Sequence, residues 1–233
     1  MLHPKHLEIV ATADGSTTLR QKETGITYRS TEGAKGECLH VFYEGANLEV
    51  ATTGWSILEL GLGSGMNFLT TADQAMRMNT SLHYVAVDKA PIPSELVTDK
   101  GPVATLLRDT IQRARETRQP TQGTWRNIRL TLHPFAWQHV SANGFQANAI
   151  FHDPFGPDVN PDCWTLDCFT WSRKFLHPRG RLVTYSAAGH VRRSLGKAGY
   201  FVAIAPGYGK KREMTVASPT EDILSGYRIK VRP

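Results

Sequence analysis

The sequence predicts an α/β fold, with an open, mostly parallel sheet covered by helices on both faces and a β-rich N-terminal appendage. Short apolar runs alternate with helical segments at the spacing typical of βαβ units. The first buried run, in "WSILELGLGSGMNFLT" (residues 55–70), leads into a Gly-rich turn and then a helix. A chain of 233 residues is long enough to bury the core of one such domain.

Residues 1–50 are predicted to form the β-rich appendage. The segment "LEIVATADGSTTLRQ" (residues 7–21) places an Asp14-Gly15 pair between two strand-like runs, and "TGITYRS" (residues 24–30) follows it. An Asp-Gly pair in that setting favours a β-hairpin. The main domain is assigned to residues 51–218. Residues 219–233 are assigned to a C-terminal tail without a predicted role.

The main domain continues as strands separated by helices or loops. The further predicted strands lie in "LHYVAVDKAP" (82–91), "IRLTLHP" (128–134), "NAIFHDP" (148–154), "GRLVTYS" (180–186), "YFVAIAP" (200–206) and "REMTVAS" (212–218). The predicted helices run from about Ser94 to Glu116, over 161–176 and over 187–199. The polar stretch "RETRQPTQGTWRN" (residues 115–127) is interpreted as a loop.

The composition is that of an ordinary globular protein, with 40% hydrophobic and 21% charged residues. No apolar run is long enough to span a bilayer, and the N-terminus lacks the apolar core of a signal peptide. The three cysteines form no CxxC pair, which favours free thiols in a reducing compartment. The nine His residues show no metal-ligand spacing. The sequence therefore predicts a cytoplasmic protein without a membrane segment or a metal.

The charge is distributed unevenly along the chain. Residues 173–233 hold 13 Lys and Arg against three Asp and Glu, while the first 172 residues are slightly acidic. A basic C-terminal part on an acidic body suggests a polyanionic partner, with RNA first among the candidates. On charge alone, a merely solvated basic face remains an equal alternative.

The Gly-rich turn carries the first chemical signal. Glu59 precedes Gly61, Gly63 and Gly65, and Asp88 ends the next predicted strand. Glycines at this place let a ligand approach the backbone closely. A carboxylate at the end of the next strand can accept hydrogen bonds from the hydroxyls of a ribose. The pattern resembles class I S-adenosylmethionine methyltransferases, which have a Rossmann-like sheet. An NAD-dependent oxidoreductase is the main rival, but the spacing is GxGxG and differs from GxGxxG.

The second chemical signal is "DPFG", which follows the apolar run "NAIFH". Asp153 is expected at the carboxyl edge of the sheet, where ligands bind, and Pro154 restricts the direction in which its carboxylate points. A carboxylate there can accept a proton from an acceptor amine and orient its nitrogen. Phe155 can stack on a base. The order of residues is similar to the acid-Pro-Pro-aromatic motif of amino-group methyltransferases, and it predicts N-methylation.

Taken together, these segments resemble the methyltransferase family that completes 5-methylaminomethyl-(2-thio)uridine at the tRNA wobble position. In many bacteria that activity is half of the bifunctional MnmC protein, and elsewhere it stands alone. The resemblance covers most of the chain up to about Ser218. The segments that carry it are "TADGSTTL", "TGITYRSTEGAKGECLHVFYEG", "ELGLGSGMNFL", "DPFGPDVNPDCWT", "TYSAAGHVRRSLGKAG" and "GYGKKREM".

The resemblance implies S-adenosyl-L-methionine as cofactor and tRNA as substrate. Residues implied to line the cofactor site are Glu59, Gly61, Gly63, Gly65, Asn67, Asp88 and Asp153. It implies that Asp153 faces the reacting amine, and that Tyr28, Ser30, Pro154 and Phe155 belong to the substrate pocket. Two positions depart from the family pattern. Arg29 stands where His or Phe is more usual, and "TLHPFAW" lacks the acid near the third strand, which leaves His133, Phe135 and Trp137 as candidates beside the adenine.

A basic group is predicted to bind the tRNA backbone. Its members are Arg192, Arg193, Lys210, Lys211 and Arg212, the last three in the Gly-containing segment "GYGKKR". Two other functions stay open on the sequence alone. One is a methyltransferase for another amine, on DNA adenine or a small molecule, and the other is a non-catalytic RNA-binding module that keeps the cofactor fold.

Overall fold

A computed structural model describes residues 4–50 and 54–233. Among these residues, nine strands form one sheet in the order β11-β9-β10-β8-β7-β3-β4-β6-β5, and β1 and β2 form a separate hairpin. The strand bounds are β1 (Leu7–Ala11), β2 (Thr17–Gln21), β3 (Trp55–Leu60), β4 (Leu82–Val87), β5 (Thr121–Trp125), β6 (Ile128–His133), β7 (Ala147–His152), β8 (Leu176–Thr184), β9 (Phe201–Pro206), β10 (Glu213–Ser218) and β11 (Arg228–Val231).

The helices cover both faces of the large sheet. Their bounds are α1 (Ala34–Glu37), which continues as a π-helix (Cys38–Glu44), α2 (Met66–Arg77), α3 (Pro102–Thr117), α4 (Leu166–Arg173) and α5 (Gly189–Lys197). Short 3-10 turns are Pro4–His6, Leu48–Val50, Ser94–Leu96, Trp137–His139, Pro161–Trp164 and Glu221–Leu224. Side chains of α2 and α3 belong to one hydrophobic cluster, and those of α4 and α5 to the other. The predicted α/β class is therefore confirmed.

The order of the strands creates a ligand-binding edge. Strand β3 pairs in parallel with β4 on one side and with β7 on the other. From β3 the chain first builds outward through β4 and β6, and then returns to the other side of β3 to build β7 and β8. In open α/β sheets such a reversal leaves a crevice beyond the carboxyl ends of the two central strands. The glycine loop after β3 and Asp153 after β7 meet at that crevice.

The N-terminal region combines the predicted hairpin with helical structure. Strands β1 and β2 pair antiparallel around Asp14 and Gly15, as expected. The segment from Ala34 to Glu44 is helical, and Val41, Phe42 and Tyr43 are buried in the same cluster as α2 and α3. The boundary predicted between residues 50 and 51 falls at residues 51–53, which lie outside the described residues, as do residues 1–3.

Elsewhere in the chain, further segments differ from the sequence-based expectation. Residues 121–125, interpreted as loop, form the edge strand β5, which pairs antiparallel with β6. All of its residues are exposed or only half-buried, so the strand does not need an alternating apolar pattern. The helix expected from about Ser94 begins only at Pro102, a residue favoured in the first turn of a helix. The C-terminal tail adds β11 to the edge of the sheet beside β9.

The structure also bears on membranes, metals and thiols. Within the part of the chain that is described, no helix combines the length and the apolar character needed to cross a membrane. The same residues contain no group of three or more His, Cys, Asp or Glu side chains arranged to hold a metal ion. Cys38, Cys163 and Cys168 are buried free thiols.

Candidate active site

A cavity of about 550 Å³ opens at the carboxyl edge of β3, β4 and β7. Its volume is in the range of small-molecule and cofactor sites. Its walls come from the segment after β2, the glycine loop, the turns after β4 and β7, and the loop before β10. The predicted site residues that line it are Tyr28, Ser30, Gly61, Gly63, Asp88, Asp153, Pro154, Phe155 and Lys211.

The glycine loop brings the ends of β3 and β7 together. Gly61 has φ +88°, and a Cβ on it would lie 2.7 Å from the carbonyl oxygen of Asp153. Gly63 has φ +55°, and a Cβ there would lie 3.1 Å from the ring of Tyr28. Both positions need a residue that tolerates positive φ and adds no side chain. The loop backbone is therefore packed directly against the two other walls of the cavity.

Asp88 stands at the end of β4, half-buried, with each carboxylate oxygen held by the backbone. Gly63 N donates to Oδ2 at 3.2 Å, and Ala90 N donates to Oδ1 at 2.9 Å. Burial raises the pKa of Asp88, and these backbone donors oppose the shift. Each oxygen keeps acceptor capacity toward the cavity. The buried Ser64 Oγ, in the same wall, has no hydrogen-bond partner. These groups fit the hydroxyl-bearing nucleoside part of S-adenosylmethionine.

Asp153 belongs to a buried polar cluster behind the glycine loop. The side-chain nitrogen of Asn67 donates to Glu59 Oε1 at 2.7 Å and to Asp153 Oδ2 at 3.0 Å. The backbone nitrogen of Asp153 donates to Leu60 O at 2.9 Å, which extends the pairing of β7 with β3. Asp153 is therefore fixed at its backbone and at one carboxylate oxygen, and its side chain forms part of the cavity wall.

Arg29 completes this cluster, and the sequence did not predict it. Its Nη2 forms an ion pair with Asp153 Oδ2 and lies 3.9 Å from Glu59 Oε1, with only 3% of the side chain exposed. Its guanidinium also lies over the ring of Phe42, 5.3 Å from the centroid. The only signal in the sequence was its departure from the family pattern at this position. A distant ion pair leaves no local pattern in a single sequence.

Burial is the largest influence on the pKa values of the Asp153 and Glu59 carboxyl groups. It raises the pKa of Asp153 to about 7, with Arg29 and Lys211 lowering it and Glu37 raising it. Burial and the charge of Asp153 raise the pKa of Glu59 to about 8, against the opposing effect of Arg29. Asp153 thus titrates near neutral pH, where a general base is most effective.

The raised pKa of Glu59 predicts a pH-dependent stability. Because its pKa rises from 4.5 to about 8 on folding, the folded protein keeps a proton that the unfolded chain releases between these values. The free energy of unfolding should therefore fall as pH rises through that window. In urea titrations from pH 5 to 8, Glu59→Gln should flatten the slope by at most about 1.4 kcal/mol per pH unit. The exposed Glu95→Gln is the control; equal slopes in all three proteins would contradict the assignment.

Another wall of the cavity, next to the glycine loop and Asp153, is aromatic. The rings of Tyr28 and Phe155 meet edge to face with centroids 4.8 Å apart. Tyr185 OH donates to Pro154 O at 2.7 Å, and Trp164 Nε1 donates to Phe155 O at 2.8 Å. These bonds hold the turn after β7 in place. The wall thus combines exposed ring surface with a rigid backbone beside Asp153.

Some predicted site residues do not reach the cavity. Of the described residues, Glu59 and Asn67 lie behind Asp153, and Gly65 caps α2 with φ +76°. A direct contact of these three with a bound cofactor stays a prediction. Phe135 and Trp137 pack against the second hydrophobic cluster, and neither they nor His133 line the cavity.

The predicted basic group divides into three parts. Arg193, Lys210 and Arg212 are exposed, and Lys210 Nζ lies 2.9 Å from Glu32 Oε1. Lys211 is also exposed but lines the cavity, where its Nζ donates to Glu37 Oε1 at 3.3 Å and lies 4.4 Å from the centroid of the Tyr185 ring. Arg192 is the third part.

The prediction that Arg192 contacts tRNA is wrong. Only 5% of the residue is exposed, and its guanidinium donates to Thr215 Oγ1, Glu213 Oε2 and Met214 O. A side chain held in this way fixes α5 to β10 and does not reach a phosphate outside the protein. On α5 the two neighbouring arginines therefore point to different environments.

Comparisons with known proteins identify the family of this chain. A family described as S-adenosyl-L-methionine-dependent methyltransferase matches residues 102–220. The bifunctional tRNA 5-methylaminomethyl-2-thiouridine biosynthesis protein MnmC is 32% identical in Cupriavidus necator and 34% identical in Ralstonia nicotianae. Each match covers 82% of this chain and 31% of the relative. The chain thus spans about a third of the length of these relatives.

A solved structure, that of MNMC2 from Aquifex aeolicus, shares the fold. It has a TM-score of 0.73 and 28% identity, and the match covers 97% of this chain and 72% of that chain. The family match extends over half of the sequence and includes the turn after β7 with Asp153, Pro154 and Phe155. The chain belongs to the S-adenosyl-L-methionine-dependent methyltransferase family.

Proposed function

We propose that this methyltransferase methylates the aminomethyl nitrogen of 5-aminomethyl-(2-thio)uridine at the wobble position of tRNA. The single observation that carries the proposal is the position of Asp153, which lines the cavity between the glycine loop and an aromatic wall. The similarity of 82% of the chain to MnmC proteins of tRNA 5-methylaminomethyl-2-thiouridine biosynthesis supports the choice of acceptor.

Asp153 acts on the acceptor amine in this proposal. A primary alkylamine is protonated at neutral pH, and its nitrogen has no free lone pair until the proton leaves. The carboxylate of Asp153, with a pKa of about 7, accepts that proton and holds the nitrogen in line with the methyl group. When bound, S-adenosylmethionine supplies an electrophilic methyl carbon, and the new N–C bond forms as the S–C bond breaks with its electron pair left on sulfur.

The other residues of the cavity hold the two ligands. Asp88 accepts hydrogen bonds from the ribose hydroxyls of the cofactor, and the backbone at Gly61 and Gly63 lets the cofactor approach β3. The rings of Tyr28 and Phe155 stack against the uracil base, which must leave the anticodon stack to enter the cavity. In this proposal the base, the amine and the methyl group meet in the same cavity.

The direct test is methyl transfer from labelled S-adenosylmethionine to total tRNA from cells that lack this protein. We expect label in 5-methylaminomethyl-uridine or its 2-thio form after nucleoside analysis. A tRNA pool shown to contain the aminomethyl precursor, and a protein shown to bind the cofactor, are the controls. Label in another nucleoside would assign a different amine. Binding of tRNA and cofactor without any transfer would favour a non-catalytic RNA-binding module.

The exposed basic residues beside the cavity are expected to contact the tRNA backbone. Replacing Lys210 and Arg212 by Gln should weaken tRNA binding and reduce the slope of log affinity against log salt, by roughly 0.7–0.9 for each phosphate that the protein no longer neutralises. The affinity is measured at several salt concentrations with unmodified and precursor tRNA. Lys211 is left intact because it lines the cavity.

A matched control for this measurement lies at the opposite edge of the sheet. Arg118 directly follows α3, and Arg126 lies in the turn between β5 and β6, at the amino ends of the parallel strands. Replacing both by Gln removes the same charge from another exposed surface. An equal reduction of the slope in the two double variants would contradict a specific backbone contact at Lys210 and Arg212.

A further inference from the structure

We propose that Arg29 is a positioning residue of the active site, which fixes the orientation of the Asp153 carboxylate and holds it as an anion facing the acceptor amine. This inference rests on the proposed function, since it gives Asp153 the role of base. It assigns a role to the segment that follows the N-terminal hairpin. The segment after β2 then supplies the Arg29 side chain to the site in addition to forming a wall of the cavity.

Arg29 helps to fix one oxygen of the Asp153 carboxylate. Its Nη2 contacts the same oxygen, Oδ2, that accepts from Asn67 at 3.0 Å. Two donors from different parts of the chain therefore hold this oxygen. With one oxygen held, rotation of the carboxylate is restricted and the direction of its other oxygen is set. That fixed direction is what a base needs if it is to align an amine for displacement.

Arg29 is itself held by the N-terminal region. Its backbone nitrogen donates to Thr18 Oγ1 of β2 at 2.9 Å, and its guanidinium lies over the ring of Phe42. Both Arg29 and Asp153 are almost fully buried, so the pair is little screened by solvent. The hairpin therefore holds the cation at the end of β7, in the polar cluster behind the glycine loop.

The charged surroundings of Asp153 are mixed in sign. The charged and titratable groups that face it are Arg29, Cys38 and Glu37 from the N-terminal region, Glu59 from β3, Tyr84 from β4, Tyr185 from the turn after β8 and Lys211 from the loop before β10. Burial and the acidic neighbours favour the neutral acid, while Arg29 and Lys211 favour the anion. Of these two cations, Arg29 makes the direct contact. Removing it should leave Asp153 protonated in the pH range where a base is needed.

The test uses the full chain and reads the ionisation of Asp153 without depending on activity. The carbon-13 resonance of the Asp153 carboxyl group, assigned by its absence in Asp153→Asn, is titrated in the native protein and in Arg29→Gln. Loss of an adjacent cation typically raises the pKa of an aspartate by about 1–3 units. We therefore expect the midpoint to move up by about one to two units. An unchanged midpoint in folded Arg29→Gln would overturn the proposal.

Methyl transfer gives the second readout. In Arg29→Gln the acidic limb of the pH profile of kcat should shift to higher pH by the same amount as the carboxyl midpoint. Its kcat should then be about tenfold below native at pH 7, and part of this loss should be recovered at pH 9. If Arg29→Gln does not fold, Arg29→Lys decides, because it keeps the charge and loses the planar fork. For Arg29→Lys we expect kcat to fall at least about fivefold, with KM for tRNA unchanged, because the Asp153 carboxylate is less well oriented. An unchanged kcat in this variant would overturn the proposal.

The matched control is Arg192→Gln. Arg192 and Arg29 are equally buried, at 5% exposure each, and both form ion pairs. A purely structural effect of losing a buried arginine should appear in both variants as lower stability, whereas only Arg29→Gln should move the Asp153 midpoint. If the native protein fails to methylate precursor tRNA, the proposed function fails, while the titration still decides whether Arg29 holds Asp153 as an anion.

Discussion

Replacing Asp153 by Asn is expected to lower kcat for methyl transfer by about 100- to 10,000-fold, the range typical for the loss of a positioned general base. The amide has nearly the same shape as the carboxylate and keeps one acceptor oxygen for Asn67. It cannot accept the proton of the acceptor amine. Affinity for the cofactor should change little, because the proposed arrangement assigns its main contacts to Asp88 and the glycine loop.

The measurement is single-turnover methyl transfer to precursor tRNA, with cofactor affinity determined separately by calorimetry. Asp158→Asn is the matched control, since Asp158 is exposed in the same turn after β7. The control should keep native kcat. If Asp153→Asn binds cofactor and transfers methyl at nearly the native rate, Asp153 is not the base and the site must activate the amine differently.

The sequence predicted the parts of the site that depend on local pattern. The glycine loop could be predicted because positive φ at Gly61 and Gly63 requires residues without a side chain. Asp88 and Asp153 could be predicted because each directly follows an apolar strand, and parallel strands end at the same edge. The hairpin around Asp14 and Gly15 could likewise be predicted from a short segment of sequence.

The parts that depend on distant contacts could not be predicted. Arg29 and Asp153 are far apart in the chain, and nothing in "YRS" indicates that the arginine is buried. Arg192 and Arg193 are adjacent in sequence, yet one is buried against β10 and the other is exposed. Their burial differs because only one face of α5 packs against the sheet, and Arg192 lies on that face. Strand β5 was missed for a related reason, since an edge strand with polar side chains has the composition of a loop.

The second large effect is expected for Asp88→Asn, which should weaken binding of S-adenosylmethionine by about 10- to 100-fold. A hydrogen bond to a charged group contributes about 1.5–3 kcal/mol, and about 1.4 kcal/mol corresponds to tenfold in affinity. The amide replaces one acceptor oxygen by a donor. Because Gly63 N and Ala90 N each donate to one oxygen of Asp88, that donor must face either a backbone N–H or a ribose hydroxyl.

Calorimetric titration with S-adenosylmethionine and with S-adenosylhomocysteine measures this effect. Both ligands carry the same ribose, so both affinities should fall by the same factor if Asp88 binds the hydroxyls. A decrease confined to S-adenosylmethionine would instead indicate a charge effect on the sulfonium. Asp109→Asn, at an exposed position on α3, controls for removal of one acidic charge. Native affinity in a folded Asp88→Asn would show that the ribose is held elsewhere, and the assignment of the cofactor half of the cavity would then be wrong even if Asp153 remains the base.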